Sequence, residues 1–346
     1  MSHSADAYTR AGVNLDAADR AKLEMRAAIQ ATHGPETLSL PGGFGGLFAL
    51  GGIGLRDPVL VSSIDGVGTK LKIAFALNRH RSVGADLVAH CVNDILVCGA
   101  RPLFFLDYLA LGAMDAEQAV EVVRGVAEGC QANGCALVGG ETAAMPGFYA
   151  PGEYDLAGCI VGVVARDRII TGEAIAAGDI VIGLPSAGLH TNGYSLARSV
   201  FEDADLYAHV PELGRSLGDE LLQPHRSYLA TMRPLLDESL VTGMAHITGG
   251  GLVDNLPRVL PAGLAADLDA ARWEIPPIFR LIQRQGNIPW SEMSRVFNLG
   301  VGFLVCCHPQ DAERALALTA SAGGRVVGAI RGRVGDEPRV RVEGLA

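Results

Sequence analysis

A short, largely apolar run, Val59 to Ile64, is followed at once by Asp65, Gly66, Val67, Gly68, Thr69 and Lys70. A strand that ends this way must turn on its glycines, and it delivers a carboxylate, a hydroxyl and an ammonium to one end of a sheet. Asp65 is then a hard-cation ligand, the glycines let backbone N–H groups approach anionic oxygens, and Lys70 supplies a point charge. This is an inventory for holding a metal-bound polyphosphate.

Three further patches carry related chemistry: Asn93 with Asp94, the run Gly139, Gly140, Glu141, Thr142, and the loop from Ser186 to Gly193. Asp94 lies in an otherwise apolar helical stretch, where an unpaired buried carboxylate costs several kcal/mol. If Asp65, Asp94 and Glu141 converge, each pair about 4 Å apart repels by about 4 kcal/mol at an effective dielectric near 20, and a divalent cation reverses that sign. Mg²⁺ is the expected ion, and a helix or turn cap is the ordinary alternative for each acid taken singly. Asp86, His90 and Asp94 recur at four-residue spacing and imitate a metal triad, but a lone His among apolar neighbours reads as a hydrogen-bonded packing residue.

The chain has no Walker A loop and no G-x-G-x-x-G fingerprint, so a nucleotide site would be of another kind. Gly42, Gly43, Phe44, Gly45 and Gly46 are the candidate phosphate cover, with a flexible linker as the alternative. His190 sits ahead of a helix beginning near Tyr194, a position suited to binding phosphate or moving a proton, or simply to forming a turn. Ser195 lacks the second glycine of a nucleophile elbow, which argues against a serine hydrolase.

With 346 residues, 49% of them apolar, the chain can bury a large core, and two domains are expected at about 100–200 residues each. A net charge of −10 opposes a nucleic-acid or anionic-membrane surface. Seven cysteines with no C-x-x-C pair point to a reduced, cytoplasmic setting. The polar start, Met1 to Arg10, carries no signal peptide. Thr37 to Leu55 is uncharged for 19 residues but holds seven glycines and Pro41, so it reads as a loop and not a membrane helix.

Periodicity predicts a helix capped by Asn14 and running to about Thr32, a strand over 59–64, a helix over 84–98, a strand over 103–109 and a helix opened by Asp115 to about 131. A short strand over 135–138 should stop at Gly139 and Gly140, and Tyr154 to Val164 is a longer strand. Beyond a boundary near residue 170 come a strand from 179, a helix over 194–204, a polar insert over 205–220, a helix over 225–237, a glycine turn at 249–251 opening a helix, a strand over 301–306, a helix over 309–321 and strands near 325–330 and 338–342. The expected class is α/β (α+β), with domains over 1–170 and 171–346.

Read in series, DGVGTK at 65–70, CVND at 91–94, PLFFLDY at 102–108, GGETAAMPG at 139–147, HTNGYSL at 190–196, HITGGGL at 246–252 and FNLGVG at 297–302 resemble the phosphoribosylformylglycinamidine cyclo-ligase (AIR synthase) family, from about Tyr8 to past Cys306. The resemblance implies a dimerising N-terminal sheet domain, a C-terminal α/β domain and active sites between them. It also implies a homodimer that uses ATP to close formylglycinamidine ribonucleotide to aminoimidazole ribonucleotide, through a phosphorylated amide, in purine biosynthesis.

On that resemblance Asp65, Asp94 and Glu141 are assigned to Mg²⁺, with Asn93 and Thr142 in support. Lys70, Thr69, Gly66, Gly68 and the glycines at 42, 43, 45 and 46 are assigned to ATP phosphates. His190, Thr191, Asn192, Gly249, Gly250, Gly251 and Asn298 are assigned to the nucleotide substrate, with His190, Lys70 and Asp94 as the catalytic set. Ala144 stands where the family pattern has an acidic residue, Thr191 where it usually has Ser, and His90 where it has an apolar residue. Among sister families, selenophosphate synthetase needs a reactive residue near its N-terminus, whereas the first cysteine here is Cys91. Thiamine-monophosphate kinase and formylglycinamidine ribonucleotide synthase fit the HTNG and TGGG loops and the chain length less well, and a catalytically silent scaffold is disfavoured by retention of the three acids and Lys70.

Overall fold

The computed structural model describes residues 14–38 and 45–345. Gly42 and Gly43, expected to cover phosphates, lie outside them. The chain divides into two compact units, one reaching residue 95 and resuming over 101–165, the other combining 96–100 with 166 onward.

The N-terminal unit begins with the helix Leu15–Gln30, where the Asn14 side chain accepts the Ala17 N–H at 3.0 Å. A two-residue hairpin follows, β1 (Thr37–Leu38) with β2 (Leu47–Phe48). The strands β3 (Pro58–Gly66), β4 (Arg101–Leu111), β5 (Ala136–Ala144) and β6 (Tyr154–Ala165) form one sheet in the order β3-β6-β4-β5. β4 and β5 are parallel and joined by the helix Ala116–Ala132, whose first turn is capped by Asp115. The other two pairings are antiparallel.

The helices Arg81–Leu96 and Ala116–Ala132 touch each other where side chains vanish. A Cβ on Gly125 would stand 1.8 Å from the Arg81 carbonyl oxygen, and one on Gly84 would stand 2.3 Å from that of Val122. The first of these helices lies on the sheet through Leu87 against Gly158 and Ile95 against Gly162. The opposite face of the sheet is open, with Leu60 54% and Ile64 74% exposed.

β5 corrects one expectation. It does not stop at Gly139 but continues to Ala144, because Gly140 fits against Asp107, whose Oδ1 a Cβ would approach to 2.2 Å. The glycines that read as a terminator are there for close strand packing.

The C-terminal unit is built on a six-stranded sheet, β10-β12-β7-β13-β11-β14. Its strands are β7 (Ile180–Pro185), β10 (Gly243–His246), β11 (Leu264–Asp269), β12 (Val301–Cys307), β13 (Arg325–Gly332) and β14 (Val340–Glu343). All seven residues of β12 are buried, so the strand has no alternation. The insert over 205–220 holds a small hairpin, β8 (His209–Val210) with β9 (Arg215–Ser216), and the helix Leu217–Leu221, capped by Ser216. The helix expected from 225 starts at Leu229. β10, β11 and the helices Pro277–Gly286 and Trp290–Val296 lie outside the periodic segments identified above. Among the described residues no helix is long and apolar enough to cross a membrane.

Gly125→Ala should lower stability by about 2 kcal/mol or more, because overpacking against an immovable carbonyl outweighs the gain of up to about 1 kcal/mol in helix propensity. The urea midpoint of the N-terminal unit's transition measures it, and an unchanged midpoint refutes the contact.

Candidate functional site

Asp65, on the last turn of β3, and Asp94, near the end of the helix Arg81–Leu96, meet around a third residue. His90 Nε2 lies 2.7 Å from Asp65 Oδ2 and 3.7 Å from Asp94 Oδ2, and the Ser63 hydroxyl donates to Asp94 Oδ2 at 3.0 Å. His90 is thus a hydrogen-bonded interior residue, and it joins two of the expected metal ligands. Burial opposes its charge, but the hydrogen bond to Asp65 and the charges of Asp94, Asp65 and Asp86 together hold its pKa above the ordinary imidazole value. The Asp65 side chain is 42% exposed and that of Asp94 25%. Both carboxylates therefore remain reachable on their outer side while held from within, which is the donor set a hard cation requires.

Lys70, expected at the ATP phosphates, lies inside the fold. It is fully buried at the start of the helix Leu71–Leu77, with Nζ 2.6 Å from the equally buried Asp86 Oδ2. Burial pushes its pKa down and Asp86 opposes that shift. Asn93 is likewise fully buried, not turned outward beside Asp94. Gly68, at φ +70°, and Thr69 are exposed, so the turn's reachable groups are its backbone and the Thr69 hydroxyl. Gly45 is exposed, whereas Gly46 lies against β5, where a Cβ would meet the Val138 carbonyl oxygen at 2.6 Å.

Glu141 does not join Asp65 and Asp94 within one chain. Cross-strand register aligns Asp65, Gly158, Asp107 and Gly140 on the helix-covered face, and Gly66, Ala157, Tyr108 and Glu141 in the next row on the open face. β3 and β5 are opposite edges of the sheet, so three strand spacings, about 14 Å, separate them. Glu141, Thr142 and Asp107 line a cavity of about 720 Å³ beside the helix Leu15–Gln30, shared with Met25, Met114 and Val123. Burial raises the Asp107 carboxyl to about 7.

In the C-terminal unit, three of the seven expected substrate residues, His190, Gly251 and Asn298, are buried. His190, at φ +62°, is fully buried and its Nε2 accepts the Ala187 N–H at 3.1 Å, so it is a loop-fixing ring and not an exposed proton carrier. Asn298 is buried too: Nδ2 donates to the Gly188 carbonyl at 3.1 Å and Oδ1 accepts Ser186 Oγ at 2.9 Å and Gly300 N at 2.8 Å. Gly250 and Gly251 have positive φ, and a Cβ on Gly251 would stand 2.0 Å from the Ser294 carbonyl oxygen. Thr191, Asn192 and Gly249 are the accessible members, with Asn192 Oδ1 3.4 Å from a Gly249 Cβ position, so the two loops adjoin. Asn255, which sequence reasoning passed over, donates from Nδ2 to the carbonyls of Thr248, Gly249 and Gly251. Its only signal was a polar residue in the first helical turn after the glycines.

Both units match described domain families: residues 53–164 the N-terminal domain of AIR synthase related proteins, and residues 176–344 their C-terminal domain. The fold is shared with thiamine-monophosphate kinase from Stenotrophomonas maltophilia (TM-score 0.70, 18% identity, 94% of this chain and 96% of that one) and with a hydrogenase maturation protein HypE in complex with ATP (TM-score 0.67, 18% identity, 94% and 91%). A phosphoribosylformylglycinamidine cyclo-ligase of Desulfitobacterium hafniense is 51% identical over 328 residues, 94% of this chain and 97% of the relative. The chain belongs to the AIR synthase family, in its phosphoribosylformylglycinamidine cyclo-ligase branch.

Lys70→Met should cost about 3–5 kcal/mol by leaving Asp86 buried without its cation, and adding Asp86→Leu should recover most of that loss. Denaturant titration of the three variants tests it; a double variant no better than the single refutes it. Asp107 binds its proton more tightly in the fold than in the unfolded chain, so its ionisation lowers stability as pH rises from about 4 to about 7. The stability advantage of Asp107→Asn over the parent should grow across that window and level off above it, as read from urea midpoints at each pH.

Proposed function

We propose that the chain catalyses the ATP-dependent closure of formylglycinamidine ribonucleotide to aminoimidazole ribonucleotide, releasing ADP and phosphate, in purine biosynthesis in the cytoplasm. The observation that carries this reading is the near-full-length identity with cyclo-ligases, together with a pair of reachable carboxylates, Asp65 and Asp94, locked by His90 beside a glycine turn.

The formyl-derived amide oxygen is a poor leaving group. Transfer of the ATP γ-phosphoryl to that oxygen gives an iminophosphate; the substrate's amidine nitrogen then attacks the activated carbon, the ring closes and phosphate departs. Such transfer is chiefly positioning and charge neutralisation. Asp65 and Asp94 would hold Mg²⁺, which when bound offsets polyphosphate charge. His90 and Ser63 keep the two carboxylates aimed; the Gly66 N–H is donated to Asp65 Oδ1 and the Val67 N–H to the Leu156 carbonyl, so the exposed Gly68–Thr69 end of the turn is what faces anionic oxygens. Thr191, Asn192 and the Gly249 backbone are the groups offered to the nucleotide substrate, with His190, Asn298 and Asn255 holding those loops in shape.

We also infer a homodimer formed through the open face of the N-terminal sheet. Leu60, Ile64 and Tyr108 are exposed there in one row-and-column patch that water covers poorly. Glu141 stands on that same face, where a second copy would bring it close to groups its own chain does not supply.

The primary test is ADP release from ATP with Mg²⁺, with and without formylglycinamidine ribonucleotide, and detection of the product as an aromatic amine. Substrate-dependent ADP with matching aminoimidazole is expected; ADP without ring closure would move the chain to a kinase-like activity. Asp94→Ala should reduce turnover at least about 100-fold, roughly 2.7 kcal/mol of transition-state stabilisation, with an unchanged melting curve. Near-normal kinetics in the folded variant would remove Asp94 from the site.

A further inference from the structure

Three buried histidines from separate stretches of the C-terminal unit come together. His190 follows β7, His225 precedes the helix Leu229–Asp237, and His246 ends β10. All three are buried, and one ring nitrogen of each lies within 4.8 Å of those of the other two. His225 Nε2 and His246 Nε2 are 3.1 Å apart, and the His190 ring stacks on that of His225 with centroids 4.0 Å apart.

Two facing imidazole nitrogens at that distance can share one proton, and adding a second sets two buried cations against each other. A divalent ion can take the proton's place. Nitrogens each about 2.0–2.1 Å from a tetrahedral ion stand about 3.3–3.4 Å apart, so only a few tenths of an ångström of opening is needed. The outer atom of the pair is already oriented: Thr191 Oγ1 lies 3.2 Å from His225 Nδ1, and a hydroxyl accepting the Nδ1 proton leaves the Nε2 lone pair pointing at His246. His190 is the weaker third donor: its ring stacks on that of His225 and must turn to aim a lone pair at a shared ion, and its Nε2 already accepts the Ala187 N–H. An all-nitrogen set suits zinc, copper or nickel and not magnesium. The unit's buried thiols compete poorly, because burial pushes Cys306 up and Cys307 up to about 11, keeping both protonated.

We propose that His190, His225 and His246 form a binding site for a borderline transition-metal ion of the Zn²⁺ class. Two strong imidazole donors and one that must exchange a bond make the site reversible, not structural. The proposal rests on the geometry of the C-terminal unit and is independent of the substrate assigned to the enzyme.

The test is a Co²⁺ titration of the full chain in excess Mg²⁺, followed by absorption. Saturable binding of a single Co²⁺ with tetrahedral-type d–d bands, no thiolate charge-transfer band and displacement by Zn²⁺ is expected. His225→Gln and Thr191→Val should each weaken binding at least ~10-fold while circular dichroism stays unchanged. Thr191→Val removes only a hydroxyl, so it carries the test if His225→Gln does not fold. The proposal is overturned by a thiolate band, by the absence of saturable binding to the parent protein, or by a folded variant that binds Co²⁺ as tightly as the parent.

Discussion

Charge buried on the inner face of the N-terminal sheet has to be answered by charge, and one helix supplies the answers. Asp86, His90 and Asp94 project at four-residue intervals from Arg81–Leu96 and meet in turn Lys70, Asp65 and Ser63. The deepest rung, Lys70 with Asp86, is wholly removed from water, while the outermost acids keep partial access. Desolvation therefore grades the ladder. Groups at its foot are committed to holding β3 and its turn against the helix, and only those at its top retain capacity for a ligand.

That grading explains what could be read from the chain alone and what could not. Helices with a cap and a clean stripe, such as the one behind Asn14 and the one behind Asp115, are present close to their expected bounds, because capping and periodicity are local. β10, β11 and the small hairpin of the insert were not legible, because they obey tertiary burial that local pattern does not encode. Among site residues, Asp65, Asp94 and the HTNG and TGGG loops were legible as chemistry. Lys70, Asn93 and Asn298 were legible as polar residues in motifs, but their burial reverses the expected role from ligand contact to internal staple.

Glu141 fails for a different reason. Whether two acids converge depends on strand order and on the parity of register, and a one-residue offset sends a side chain through the sheet to the other face. No spacing in the sequence records that Glu141 pairs with Tyr108 and not with Asp107. His90 is the converse case: the four-residue spacing was visible, and only the position of Asp65 opposite it turns a packing histidine into the link between two carboxylates.

The same division between staples and reachable groups accounts for how one fold serves different chemistries. A thiamine-monophosphate kinase keeps this architecture over 94% of the chain at 18% identity, so most side chains can change while the sheets and crossings persist. In this chain the crossings rest on backbone geometry: glycines where helices meet at Gly84 and Gly125, strand contact at Gly140, and positive-φ turns at Gly68 and Gly250. Buried clamps such as Asn255 and Asn298 then hold the loop backbones beside the part-exposed Asn192 and the exposed Gly249. A change at such a part-exposed position alters the loop surface without disturbing the staples beneath it, whereas a change at Lys70 or His190 disturbs the staples themselves.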